Sequence, residues 1–343
     1  MTDKKPFILF APGCHSGGGL VLIKLLLSSI TKNTTLHVFL DTRALNLIDI
    51  PYFAKVYWVK PSISSRIYAE WKLFLLSKKN KIILIFNSLP PLFPIRGKRI
   101  MYHQNLILLY KSTFNIFPIT KEIKNIIKRM YSYFFHNHID EFIVQTPTMK
   151  KYLKNCYGDK TKVKIIPFIE YMIHPKLPDH RDGFIYVADG SEHKNHHNLL
   201  NAWSLLGKKN IKPRLFLTLD KNDKSLLSKI DYLKRNEGLE IHNKHSMKHD
   251  EIIDFYKNFE ALIYPSLSES LGLPLLECSS IGLPIISSEL DYVRDICDPV
   301  ETFDPKSTTS IMRAVLRFMK KPETKIKIYS GTEFLKEIGV KHE

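Results

Sequence analysis

The stretch Ser266-Leu267-Ser268-Glu269-Ser270-Leu271-Gly272-Leu273-Pro274-Leu275-Leu276-Glu277-Cys278-Ser279-Ser280-Ile281-Gly282 follows a strand-like apolar run, Ala261-Leu262-Ile263-Tyr264. Gly272 suits a tight turn and Pro274 the first turn of a helix, so the segment predicts a loop that turns into a helix. Glu269 then stands just outside the helix and Glu277 about one turn inside it, with seven residues between them. A helix start presents unpaired backbone N–H groups and the positive end of a dipole, so Ser270, Leu271 and Gly272 form a cradle for a phosphate. The neighbouring carboxylates accept hydrogen bonds from hydroxyl groups. A ligand with a diphosphate in its middle and hydroxyl-rich groups on both sides meets these features together, which describes a nucleotide sugar.

Outward from this stretch, strand-like runs alternate with helical patterns along the whole chain. The first half gives Phe7 to Phe10, Leu36 to Leu40, Val56 to Val59, Ile82 to Phe86, Arg99 to Tyr102 and Phe142 to Gln145. The second gives Phe184 to Val187, Leu215 to Leu219, Leu239 to Ile241, Leu262 to Tyr264 and Ile285 to Ser287. This alternation predicts an α/β fold of two Rossmann-like parallel-sheet domains, with ligands at the carboxyl ends of the strands and a cleft where the domains face each other. Pro167 to Asp182, with three prolines, reads as the linker. The expected division is residues 1–170, residues 171–320, and a helix or tail over 321–343.

Charge separates the two halves. Residues 1–170 hold 26 Lys and Arg against 9 Asp and Glu, whereas 171–343 hold 25 of each, so the whole +17 excess lies in the first domain. One basic domain joined to a neutral one implies that the first faces an anionic surface, either a nucleic acid or a membrane leaflet. No apolar run reaches the roughly 18 residues of a spanning helix. Pro12, Gly17 to Gly19 and Lys24 interrupt the apolar start, which argues against a signal peptide. Cys14, Cys156, Cys278 and Cys297 are widely spaced and form no C-x-x-C pair, as expected of reduced thiols in a cytosolic protein.

The run Lys121 to Phe135 carries Ile123, Ile126, Ile127, Met130, Tyr131 and Phe134 at helical spacing, with Lys121, Lys124, Lys128 and Arg129 largely off that stripe. Two placements are open. Either the stripe packs on the sheet and only the basic residues face lipid headgroups, or the helix lies on an anionic bilayer.

The run E-S-L-G-L-P-L-L-E from Glu269 to Glu277, followed by G-L-P-I-I-S-S from Gly282 to Ser288, closely resembles the signature of retaining GT-B glycosyltransferases of family 4. The resemblance extends to Tyr186-Val187-Ala188 with His193-Lys194-Asn195. It reaches more weakly to Pro12 to Gly19, His103-Gln104-Asn105 and Val144-Gln145-Thr146, in the family's order over nearly the whole chain. It implies a nucleotide diphosphate sugar as donor and a membrane-associated glycan or glycolipid as acceptor, in surface polysaccharide synthesis. By the same resemblance Glu277 binds ribose hydroxyls and Glu269 the donor sugar's hydroxyls, while the Leu271 and Gly272 amides lie near the diphosphate. Lys194 neutralises the leaving group, Gly18 and Gly19 contact the diphosphate, and His103 hydrogen-bonds the donor sugar. The family's arginine five residues before the lysine is absent, and Asp189 stands there. No D-x-D stands out, so neither a metal nor a cofactor is expected. A nucleotide-sugar epimerase of the same architecture and a basic RNA- or membrane-binding protein remain as alternatives; the usual RNA-binding patterns are missing.

Overall fold

The computed structural model of the chain describes residues 5–86, 89–109, 119–168, 177–245, 247 and 249–321. The first domain runs β1 (Lys5–Ala11), α1 (Gly17–Ser28), β2 (Thr34–Asp41), β3 (Lys55–Val59), α2 (Ile63–Leu76), β4 (Ile82–Ile85), β5 (Lys98–Tyr102), α3 (Ile119–Phe135), β6 (Glu141–Val144), α4 (Pro147–Tyr157) and β7 (Val163–Ile165). The second runs β8 (Phe184–Tyr186), α5 (His196–Lys208), β9 (Leu215–Leu217), α6 (Lys224–Glu237), β10 (Ile241–Asn243), α7 (His249–Tyr256), β11 (Ala261–Tyr264), α8 (Leu273–Ser280), β12 (Ile285–Ser288), α9 (Asp291–Arg294), β13 (Glu301–Phe303) and α10 (Thr308–Phe318).

Every strand pair is parallel. The sheets are ordered β3-β2-β1-β4-β5-β6-β7 and β10-β9-β8-β11-β12-β13. In each, the strand order reverses beside the first strand, which opens a crevice at its carboxyl end. This is the GT-B arrangement. Two strands escaped the sequence pattern, β7 and β13. Both are three-residue edge strands, partly exposed, and so lack the continuous apolar run that marks a strand covered on both faces.

Alternation along β1 divides the first domain's core between the two sides of its sheet. Ile8 and Phe10 pack with Leu73 of α2 and Leu153 of α4, while Leu9 and Ala11 pack with Leu22, Ile23 and Leu27 of α1. The second core is one continuous cluster around Tyr186, Trp203 and Tyr264. Phe318, expected to help carry the tail back to the first domain, packs edge-on against Phe184 of the second, with ring centroids 5.7 Å apart. Ile326, Tyr329 and Phe334, its proposed companions, lie outside the described residues, as does part of the expected linker.

Helix α3 is turned the opposite way from the sheet-packed expectation. Its inward row is polar: Glu122 and Ser132 are buried, Arg129 Nη1 donates to Glu122 Oε1 at 2.8 Å, and the Ser132 hydroxyl lies 2.5 Å from Tyr157 Oη. Ile123, Ile127, Met130 and Phe134, spaced four, three and four residues apart, form an outward row. Ile127 is 61% and Phe134 69% exposed. Neighbouring α2 also turns Ile63, Ile67, Trp71 and Leu75 outward. The two helices share one supporting loop: Pro90 accepts from Tyr131 of α3, and the Leu92 amide donates to Glu70 of α2. Among the described residues no helix is long and apolar enough to cross a membrane.

Candidate active site in the inter-domain cleft

The loop after β11 rises from Pro265 to Gly272 and enters α8 as the sequence predicts. Gly272 is left-handed (φ 66°, ψ 64°), and a β-carbon there would stand 3.1 Å from Leu275 Cδ1. Conformation and crowding both call for glycine. Pro274 occupies the first turn, and no side chain caps the free N–H groups. The start of α1, also uncapped by a side chain, meets this loop from the other domain: a β-carbon on Gly18 would stand 3.1 Å from Leu273 Cδ1. One on Gly19 would stand 3.2 Å from Gln104 Oε1. Two glycine-led helix starts are thereby brought together, each presenting donors for an anion.

Docking of the domains is fixed nearby. The Thr148 amide of α4 donates to Asp295 Oδ2 at 2.8 Å, and Lys151 lies 3.6 Å from Asp291 of α9.

Between the two crevices lies a cavity of ≈ 540 Å³. Gln104, Asn105 and Lys128 wall it on one side, and His193, Glu269 and Ser270 on the other. Lys194 Nζ lies 2.7 Å from Glu269 Oε1, and their side chains are 16% and 11% exposed. The Ser266 hydroxyl lies 2.5 Å from the same carboxylate oxygen. Burial alone would raise the Glu269 pKa, but the Lys194 ammonium, with His193 and the hydrogen bonds, holds it below the ordinary range. Glu269 is therefore a carboxylate at neutral pH, fixed at the cavity wall. An ammonium has three donors, so Lys194 can hold Glu269 and still reach a phosphate oxygen.

Backbone geometry keeps this pair in place. Asn195 is left-handed (φ 62°), and its side-chain amide donates to the Pro265 and Pro305 carbonyls at 3.0 and 2.7 Å. Tyr186 Oη donates to the Lys194 carbonyl at 2.8 Å, and the Leu267 amide to that of His193 at 2.8 Å. Residues from the ends of β8 and β11 are thus tied together before any ligand arrives.

Other expected residues sit deeper. Glu277 is 5% exposed inside α8 and accepts from Tyr256 Oη at 3.0 Å. Leu271 is buried. His103, one residue before the wall formed by Gln104 and Asn105, is fully buried, and neither ring nitrogen has a partner among the described residues. Burial pushes its pKa down to about 4, so the ring is neutral at physiological pH. Asp189, in the position of the missing arginine, accepts from the Ser191 amide at 2.9 Å and stays ionised: burial would raise its pKa, but the hydrogen bond and Lys194 lower it.

The basic face of α3 is revised. Arg129 turns inward to Glu122, because the helix buries its polar row. Lys128, expected to face a membrane, is exposed but lines the cavity. Lys124 is exposed, while the Lys121 side chain lies outside the described residues. No sequence signal separated Lys128 from its neighbours; the helix's rotation about its axis made that choice.

Residues 169–332, which include the second sheet, match the family model described as Glycosyl transferases group 1. The O-antigen biosynthesis glycosyltransferase WclY of Escherichia coli is 25% identical over 154 residues, 45% of this chain and 34% of that protein. The match therefore spans about a third of the relative's length. Among solved structures, a sucrose-phosphate synthase from Thermosynechococcus elongatus superposes with a TM-score of 0.68 at 13% identity, covering 93% of this chain and 90% of that one. WaaG, a glycosyltransferase involved in lipopolysaccharide biosynthesis, gives 0.62 at 12% identity, covering 92% and 90%. At these identities the likeness is one of fold.

Proposed function

We propose that this chain, whose second half carries a glycosyl transferases group 1 domain, is a retaining family 4 enzyme. It would move a sugar from a nucleotide diphosphate sugar to a membrane-associated glycan or glycolipid during surface polysaccharide synthesis. The observation that carries this reading is Glu269 on the wall of a cavity between two carboxyl-end crevices, with Lys194 paired to it and two uncapped helix starts beside it. As the anomeric C–O bond to the diphosphate breaks, its electron pair leaves with the phosphate oxygen. Lys194 and the helix starts supply fixed positive potential where that charge grows. The acceptor oxygen bonds to the anomeric carbon from the same face, and its proton passes to the departing phosphate. Glu269 and Glu277 orient hydroxyls and take no covalent part. The proposal involves no metal or cofactor, so turnover should be unchanged by a chelator.

Glu277→Gln tests the donor assignment, since the amide still accepts from Tyr256 while losing the charge. We expect nucleotide-sugar affinity to fall roughly 10- to 100-fold, the usual worth of a charged hydrogen bond. Calorimetric titration of the donor found in a thermal-shift screen reads it; unchanged affinity would place the ribose elsewhere.

The proposal places the protein on the inner face of the cytoplasmic membrane. An apolar row turned outward over a buried polar row is the arrangement of an interfacial helix, and Lys124 with the first domain's basic excess complements anionic headgroups. Ile127→Asp with Phe134→Asp should weaken sedimentation with phosphatidylglycerol vesicles by on the order of tenfold or more, from lost apolar transfer alone. High salt should weaken wild-type binding further. Salt-dependent binding that these changes leave intact would remove the row from the contact.

A further inference from the structure

One helix bears both the outward apolar row and a cation on the cavity wall. On α3, Lys124 and Lys128 lie one turn apart, about 100° round the axis from Ile123 and Ile127. Of the two lysines only Lys128 lines the cavity, across from His193, Glu269 and Ser270. Among the described residues Lys128 has no carboxylate partner, whereas Arg129, the next residue, is committed to Glu122. An exposed lysine on the edge of a cavity lined by polar groups and by Leu89, Leu106 and Leu108, next to apolar side chains that face away from the protein, fits a ligand with an anionic group joined to a hydrocarbon chain.

Resting on the transfer reading above, we infer that Lys128 holds the phosphate of a lipid-linked acceptor, whose chain runs out over the α3 row while its glycan points toward Glu269. This lysine thus serves the acceptor and does not replace the arginine absent at Asp189. A compact ammonium on a flexible stem binds phosphate as a point charge, which tolerates an acceptor approaching from a fluid bilayer. Lys128 is accordingly a specificity-determining residue: it favours acceptors bearing phosphate near the reducing end over the same glycans without it.

The test uses the full chain and farnesyl diphosphate below its micellar concentration, followed by tryptophan fluorescence. Lys128→Ala should weaken binding roughly tenfold or more, while Lys128→Arg keeps it within about threefold and Lys124→Ala within about twofold. Farnesol should bind weakly and with no dependence on Lys128, and inorganic diphosphate more weakly than the lipid form. Whichever of UDP and GDP binds the wild type should bind Lys128→Ala equally well. Equal loss for the nucleotide would make Lys128 a leaving-group cation and overturn the inference, as would farnesyl diphosphate binding that ignores residue 128. Inorganic diphosphate binding as tightly as the lipid form would overturn the lipid assignment. Lys128-dependent lipid diphosphate binding without any nucleotide or nucleotide-sugar binding would leave the anion site standing and remove the transferase reading.

Discussion

Lys194→Met will lower sugar transfer by roughly 10²- to 10³-fold, the effect of deleting one preorganised donor from a developing oxyanion. The same change will destabilise the fold by about 3–5 kcal/mol, because it strands a mostly buried carboxylate. That carboxylate is Glu269, whose partners are Lys194 at 2.7 Å and Ser266 at 2.5 Å. Adding Glu269→Gln separates the two effects. With no charge left to strand, the double variant should regain much of the stability and none of the turnover. Urea unfolding and single-turnover transfer read the two quantities. A double variant that regains activity along with stability would show that Lys194 acts only as a structural partner. Glu269 also has a pH signature: its folded pKa is depressed, so its share of stability is present above the ordinary carboxylate range and lost as pH falls through the folded value.

Acid sensitivity is the second large effect; among the described residues each domain buries one histidine. Burial lowers the pKa of both His103 and His196 from 6.5 to about 4. Unfolded chains bind a proton at each of these positions below pH 6.5, and the folded protein does not until about pH 4. The stability from each neutral ring is therefore full above pH 6.5 and lost as pH falls through that window. At about 1.4 kcal/mol per pH unit for each group, acidification across it removes about 3 kcal/mol from each domain. That is a large part of the roughly 5–15 kcal/mol that holds an ordinary domain together. Urea midpoints between pH 7.5 and 4.5 measure the slope. His103→Gln with His196→Gln should flatten it by about two protons, and an unchanged slope would show that neither ring stays neutral on folding.

A neutral His103 also defines its chemistry. Fully buried, with neither ring nitrogen partnered among the described residues, it carries no positive charge at neutral pH.

The strands and the α8 entry were legible in the sequence because each rests on local chemistry. A buried parallel strand needs a continuous apolar run, and the turn into α8 needs a left-handed residue followed by proline. Glu269 could be placed outside the helix and Glu277 inside it from Gly272 and Pro274 alone. The edge strands β7 and β13 were not legible, since three residues are too few to show a period.

Helix α3 shows where such reading stops. Its apolar stripe is plain in the sequence, but periodicity gives only the relative positions of side chains around an axis. It does not give which face meets the sheet. Here the inward row is polar: Glu122 pairs with Arg129 two turns along the same helix and Ser132 with Tyr157 of α4, while Ile127 and Phe134 face outward and Lys128 lines the cavity.

By itself the sequence determined two parallel sheets, a basic first half, and a glycine-led helix start bracketed by two carboxylates, because each is written in neighbouring residues. Only the tertiary structure decided that Lys194 grips Glu269, 75 positions away, that Gly18 abuts Leu273 from the other domain, and that α3 carries its apolar face outward. Those contacts depend on how two separately folded sheets dock and how a helix rotates on its support. No local pattern encodes either.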